Sequence, residues 1–200
     1  MSEAPQQFVP GSIAPLAQSS KKRWELGQVR QICAGELTDG GQLTVASKDS
    51  SSWQLSLRSI EMAGSFPSAG ISQVLTLVSG DFLQLDIDGQ AQGLEPLRPL
   101  KIEATNPVST SQPAQELLVL HLITQPDRVR GTVRIIELSK KREQHLFDGQ
   151  LGVMLQGNGV LKLQGEEQKL NLRDTVIGGD TAEPTISGRG FMAVVSLDLP

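Results

Sequence analysis

The chain has a single cysteine, Cys33, among 200 residues. One cysteine cannot form an intramolecular disulfide or supply a multi-cysteine metal site, and a reducing compartment is compatible with this. Cys33 ends an apolar segment, where a thiol is usually buried and inert, and the sequence shows no catalytic partner for it. A Gly-x-Ser-x-Gly nucleophile elbow is also missing, so nucleophilic catalysis has little support.

Long apolar runs and concentrated positive charge are missing as well. No stretch approaches the roughly 20 residues of a membrane-spanning helix, and residues 1–20 lack the pattern of a secretory signal. The net charge is −4, and the basic clusters at residues 21–23 and 140–142 are only three residues long, whereas nucleic-acid binding requires a wide Lys/Arg face. We expect a cytoplasmic protein with no nucleic-acid or membrane partner. Its oligomeric state stays open.

Helical periodicity is scarce, whereas alternation of apolar and polar residues recurs. Residues 53–58, 82–87 and 117–123 are predicted strands. Further strands are predicted at residues 132–138, 149–155, 159–163, 168–172, 174–177 and 191–199. The 20 glycines and 11 prolines interrupt the chain at short intervals. Many short strands with regular turn signals indicate an all-β sandwich or barrel with little helix.

An internal repeat organises these strands. Residues 77–85 match residues 154–163 with about one residue of slippage, and each copy reads as an apolar strand, a glycine-containing turn and a second strand. The later strands and loops recur in the same order. We predict an N-terminal extension (1–22), a first cupin-like barrel (23–125) and a second one (126–200), packed as one compact unit. This arrangement is a bicupin, with two tandem jelly-roll halves.

The two histidines bear on metal binding and catalysis. A cupin metal site usually needs two histidines two residues apart on one strand, and His121 and His145 do not form such a pair. We therefore predict no metal and no cofactor. His145 lies among polar residues and is expected at the surface. His121 lies in an apolar strand, where a histidine is usually a satisfied core residue; if it lines a cavity, it can bind a ligand or act as a general base.

The strand at residues 53–58 has one apolar and one polar face. Trp53 and Leu55 lie on the first, and Ser56 and Arg58 on the second. Because one face of each barrel strand is interior, Trp and Leu are the natural interior residues. We predict that Ser56 and Arg58 point outward, with a place at a barrel mouth as the alternative.

Three stretches together resemble the HutD/Ves family of bicupins, which is encountered with bacterial histidine-utilisation genes. Residues 24–32 (WELGQVRQI) are similar to a shortened W-K-N-G-G-G-x-T-R-E-I. Residues 53–57 (WQLSL) and 64–70 (GSFPSAG) resemble W-R-x-S-I and G-P-F-S-x-x-x-G. Residues 121–131 resemble N-L-M-x-R-R-G. In order, these stretches cover most of the chain from Trp24, and the chain is identified as a divergent member.

The resemblance implies a ligand site in the first barrel, formed by five candidate residues. Arg30 matches a conserved family arginine, with a surface strand residue as the simpler interpretation, and Trp24 is a candidate pocket wall. A later family arginine falls on Gln73. A family asparagine and another arginine fall on His121 and Gln125. Because family positions of this kind are proposed to hold an anion, a carboxylate is the candidate ligand, although a neutral amide cannot supply the charge of a guanidinium.

By resemblance, the chain is a non-enzymatic protein that binds a small metabolite, with a regulatory role in histidine utilisation or stress. Two alternatives stay open. The first is a metal-independent cupin isomerase or lyase with His121 as its base, which requires His121 to lie in a polar cavity. The second is a degenerate bicupin that acts through its surface as a protein-interaction module.

Overall fold

A computed structural model describes residues 7–46 and 50–200. The prediction of an all-β chain with little helix is confirmed, because the helical structure in these two ranges is one 3-10 turn, Leu16–Gln18. No helix formed by the described residues is long and apolar enough to cross a membrane.

The strands are numbered here along the chain. They are β1 (Ile13–Ala14), β2 (Lys21–Trp24), β3 (Gly27–Leu37), β4 (Leu43–Val45), β5 (Trp53–Ile60), β6 (Gly64–Ser65), β7 (Ser72–Ser79), β8 (Leu83–Ile87), β9 (Gln90–Leu94), β10 (Leu100–Ile102), β11 (Val108–Thr110), β12 (Leu117–Thr124), β13 (Arg130–Leu138), β14 (Gln144–His145), β15 (Gln150–Leu163), β16 (Glu166–Leu170), β17 (Thr175–Ile177) and β18 (Thr185–Asp198).

These strands form three antiparallel sheets. One seven-stranded sheet has the order β10-β7-β12-β5-β3-β2, with β4 paired to β3, and a four-stranded sheet has the order β6-β11-β8-β9. The other seven-stranded sheet has the order β1-β17-β15-β18-β13, with β14 paired to β18 and β16 to β15. We call the two sheets built from β2 to β12 the first half, and the sheet built from β1 and β13 to β18 the second half. The unit boundaries predicted at residues 22 and 125 stay predictions.

Three apolar cores formed by the described residues stabilise this arrangement by removing side chains from water. One core fills the interior of the first half and includes Leu75 and Val119. A second fills the second half and includes Met154. The third lies between the two halves and includes Trp53 and Leu55. Because side chains alternate along a strand, central strands of the first half send every second residue inward and the others to the contact between halves.

The prediction that Ser56 and Arg58 point outward is wrong. Ser56 is 3% exposed and Arg58 is 7% exposed. The apolar face of β5, with Trp53 and Leu55, packs in the core between the halves, and the polar face therefore turns into the first half. When a barrel packs its sheet against a second barrel, both faces of a central strand are buried, and polarity alone does not identify the interior one.

The repeat is visible in the backbone. Leu122 pairs with Val74 in the first half, and Val195 pairs with Leu151 in the second. Hence β7 corresponds to β15, and β12 corresponds to β18. The turn that we predicted near Gly157 is not formed, because β15 continues through it with a bulge, whereas β7 and β8 are separate strands.

One buried arginine connects the halves. Arg173 is 9% exposed, and it donates through Nη1 to the carbonyl of Leu155 (2.6 Å) and through Nη2 to that of Val78 (2.9 Å). Val78 and Leu155 are equivalent in the repeat, and each falls where the strand ladder skips a residue. Burial lowers the pKa of Arg173 from its ordinary value. The equivalent residue of the first half is Leu97, which shares the positive φ of Arg173.

Candidate functional site

A cavity of about 720 Å³ opens into the first half. This volume lies in the range of small-molecule sites. Its lining combines apolar residues with a few polar ones, as in such sites. The lining includes Trp24, Gln31, Gln54, Arg58, Ile71 and Ile123.

Strand pairing explains why polar side chains face this interior. On β3, Val29 lies opposite Arg58 of β5, and Gln31 lies opposite Ser56. Directly opposed residues of an antiparallel pair point to the same face of the sheet. The polar face of β5 and these residues of β3 therefore share the inner surface.

The Arg58 guanidinium is the central charge of the cavity. Its Nε donates to the hydroxyl of Ser56 (3.1 Å), and its Cζ lies 4.6 Å from the centroid of the Trp24 ring. The ion pairs between described residues do not include Arg58. Burial lowers the pKa of Arg58 from its ordinary value to about 10, so the group is still charged at neutral pH.

The Nη groups of Arg58 are available to a ligand. The Trp24 ring lies against the guanidinium without using its hydrogen-bond donors. Only Nε is bonded to another described residue. The Nη groups can therefore bind an oxyanion in the bidentate manner typical of arginine.

His121 and Gln73 form a buried pair in the same interior. His121 Nε2 lies 2.8 Å from Gln73 Oε1, the imidazole meets the ring of Phe66 edge-on, and His121 lies opposite Ser56 in the strand ladder. His121 is fully buried and Gln73 is 1% exposed. Neither side chain contributes to the cavity lining.

Burial, and secondly the charge of Arg58, hold the pKa of His121 well below its ordinary value of 6.5. The imidazole is therefore neutral at pH 7. With Nε2 as the donor to the Gln73 oxygen, Nδ1 is an acceptor. Both His121 Nδ1 and Gln73 Nε2 lack a hydrogen-bond partner within the described part of the chain.

Trp24 lies in the cavity wall, whereas Arg30 and Gln125 lie outside the cavity lining. The Trp24 Nε1 donates to the carbonyl of Ser59 (3.1 Å). Arg30 lies on the face of β3 opposite to that of Val29, and its Nη1 donates to the carbonyl of Leu16 (3.1 Å). The Gln125 side chain donates to the carbonyl of Ser51 (3.1 Å). Of the five candidates, only Trp24, Gln73 and His121 therefore face this interior.

The sequence interpretation missed Arg58 as the cation of the site. The available signal was the polar face of β5, in which Gln54, Ser56 and Arg58 alternate with apolar residues. β5 is paired on both sides, and its apolar face packs against the second half. Its polar face therefore lies in the interior of the first half. Recognising that the halves pack through Trp53 and Leu55 would have identified them.

Among the described residues, Arg58 and His121 have apolar counterparts in the second half. Val119 lies opposite Arg58 on β5, and its counterpart Met192 lies opposite Ile136 on β13. The same correspondence relates His121 to Val194. The fold therefore accepts Ile and Val at these positions, and the charge of Arg58 is not needed to form a half of this type.

Comparisons with known proteins agree with this architecture. The model of the HutD family matches residues 17–194. The structure is similar to that of HutD from Pseudomonas fluorescens SBW25, solved in a formate condition, with a TM-score of 0.71, 22% identity and coverage of 94% of this chain and 98% of that one.

Two further structures share the fold. One is a conserved protein of unknown function from Pseudomonas aeruginosa PAO1, with a TM-score of 0.75, 18% identity and coverage of 94% of this chain and 98% of that one. The other is a cupin 2 conserved barrel domain protein from Leptotrichia buccalis, with a TM-score of 0.57, 10% identity and coverage of 98% and 100%. No curated protein matches this chain. The structural likenesses support the prediction of a cupin fold.

Proposed function

The chain belongs to the HutD family, and from this premise we propose that it binds a small carboxylate-bearing metabolite in the cavity of the first half. The observation that carries this proposal is Arg58, a buried cation with no anionic partner among the described residues. It lies in the wall of a ligand-sized cavity. A ligand carboxylate would supply the missing partner.

The energetics of a buried charge favour this interpretation. Burying an ion costs several kcal/mol even after the protein relaxes, and the contacts of Arg58 with Ser56 and Trp24 offset only part of that cost. The second half forms with Ile136 at the equivalent position. Arg58 therefore destabilises the folded protein without being required by the fold, and ligand binding explains its presence.

We further propose that the protein binds its ligand without converting it, and that binding serves a regulatory role in histidine utilisation. In support, His121, the candidate base, is fully buried, lies outside the cavity lining and is already paired with Gln73. The isomerase or lyase alternative keeps one favourable observation, which is the neutral imidazole beside Arg58. Loss of ligand C–H signals in D₂O, followed by NMR, would favour that alternative.

Titration calorimetry with formate, urocanate and butyrate tests the binding proposal. Arg58→Met removes the guanidinium, and Arg30→Met is the matched control, because Arg30 points to the opposite face of the sheet. A charged hydrogen-bonded contact contributes about 2 kcal/mol, so we expect Arg58→Met to weaken binding about 30-fold and Arg30→Met to change it less than twofold. Absence of heat with folded wild-type protein, or equal loss in both variants, would contradict the proposal.

A further inference from the structure

The mouth of the same cavity carries additional positive charge. Lys22 and Arg23 contribute to the lining with Arg58, and Glu25 is the acidic residue of that lining. Among the described residues, three cations and one carboxylate give the lining a formal charge of +2, although the whole chain has a net charge of −4. A cavity with charge opposite to that of its protein concentrates ligands of the complementary sign.

Strand pairing relates Lys22 to Arg58. Lys22 of β2 lies opposite Val29 of β3, and Val29 lies opposite Arg58 of β5, so the three side chains share one face. Two steps between neighbouring strands separate the backbones of Lys22 and Arg58 by about 10 Å. Lys22 itself is exposed, whereas Arg58 is buried.

The wall between these two cations is partly apolar. Trp24 lies two residues after Lys22 on the same strand face, and the Arg58 guanidinium lies over its ring. Ile71 and Ile123 also contribute to the lining. This sequence of surfaces, from buried cation to apolar wall to exposed cation, fits an elongated ligand with an anionic group at each end.

We propose that the ligand is a chain-like dianion whose inner carboxylate binds Arg58 and whose outer anionic group binds Lys22. This inference rests on the proposed function. The outer group is a carboxylate or a phosphate, since either pairs with an ammonium. A ligand with five or six atoms in its chain, counting the carbon or phosphorus of each end group, is long enough to contact both cations. The flexible side chain of Lys22 can move inward to reach it.

A comparison of butyrate with glutarate measures the contribution of the outer group. Lys22→Gln removes its partner, and Lys21→Gln is the matched control, because Lys21 lies opposite Arg30 on the other face of β2. An exposed ion pair is worth up to about fivefold in affinity. We therefore expect wild-type protein to bind glutarate about fivefold more tightly than butyrate, Lys22→Gln to remove this difference, and Lys21→Gln to preserve it. 4-Phosphonobutyrate distinguishes an outer carboxylate from an outer phosphate. If it binds more tightly than glutarate, the outer group of the ligand is a phosphate.

The outcomes separate this inference from the proposed function. Equal affinity for butyrate and glutarate, with both lost in Arg58→Met, would overturn the dianion proposal and leave carboxylate binding in place. A glutarate preference that persists in Lys22→Gln would overturn the role of Lys22. Failure of wild-type protein to bind any of these anions would overturn both proposals.

Discussion

The buried His121 makes the free energy of unfolding depend on pH, and the substitution His121→Val removes this contribution. Burial and the neighbouring charge of Arg58 hold the pKa of His121 in the folded protein well below 6.5, whereas the unfolded chain has a histidine pKa of about 6.5. Below pH 6.5 the unfolded state therefore binds a proton that the folded state does not. The free energy of unfolding must fall as the pH decreases through this region.

The size of the effect follows from linkage. If His121 stays neutral in the folded state, moving from pH 7.5 to pH 5.0 costs about 2 kcal/mol of stability through this residue alone, at about 1.4 kcal/mol for each pH unit below the unfolded pKa. His121→Val lacks this contribution. Valine is compatible with the fold, because Val194 occupies the equivalent position of the second half and is buried there.

Urea denaturation of wild type and His121→Val at both pH values measures this difference. Changes in packing caused by the substitution do not depend on pH, and the other titrating groups are common to the two proteins, so both cancel in the comparison. We expect wild-type protein to lose about 2 kcal/mol more than the variant on acidification. The same pH dependence in both proteins, within about 0.5 kcal/mol, would refute the reasoning.

Two further predictions concern the buried arginines. Arg58→Met should raise the free energy of unfolding by about 1–2 kcal/mol in the absence of ligand. The lowering of the Arg58 pKa to about 10 by burial corresponds to a cost of order 3 kcal/mol, and the contacts with Ser56 and Trp24 offset part of it. A lower free energy of unfolding for the variant in urea denaturation would contradict this prediction. Arg173→Leu should lower stability by about 2–3 kcal/mol, because it leaves two buried carbonyls unpaired. Leucine is compatible with this backbone, because Leu97 has a similar positive φ at the equivalent position. Urea denaturation measures the change. An unchanged midpoint would mean that Arg173 does not stabilise the contact between the halves.

Much of the fold could be predicted from the sequence, because alternation and turn residues report local structure directly. The repeat also predicted that Leu77 and Met154 are equivalent, and the matching hydrogen bonds from Leu97 and Arg173 to these residues agree with it. Gly157 was misleading, because its φ of +83° suits a turn. In the structure it pairs with Gly190 of β18 within the strand, two residues after the bulge at residue 155.

The site was less predictable, because it depends on which strand face lies inside. Arg30 and Arg58 both lie within strands, and their neighbours in sequence do not show which strand face lies inside. Packing between the halves turns Arg58 inward and leaves Arg30 on the other side of the sheet. The pairing of His121 with Gln73 likewise requires two strands that are 48 residues apart in sequence to be neighbours.

Anomalous diffraction from crystals soaked with 3-bromopropionate tests anion binding at Arg58 most directly, because bromine marks the position of the ligand. We predict bromine density in the cavity of the first half, with the carboxylate within about 3 Å of the Arg58 Nη atoms, and no such density in Arg58→Met crystals. Density at full occupancy elsewhere, or an empty cavity at saturating ligand, would contradict the proposal that this buried guanidinium is retained to bind a carboxylate.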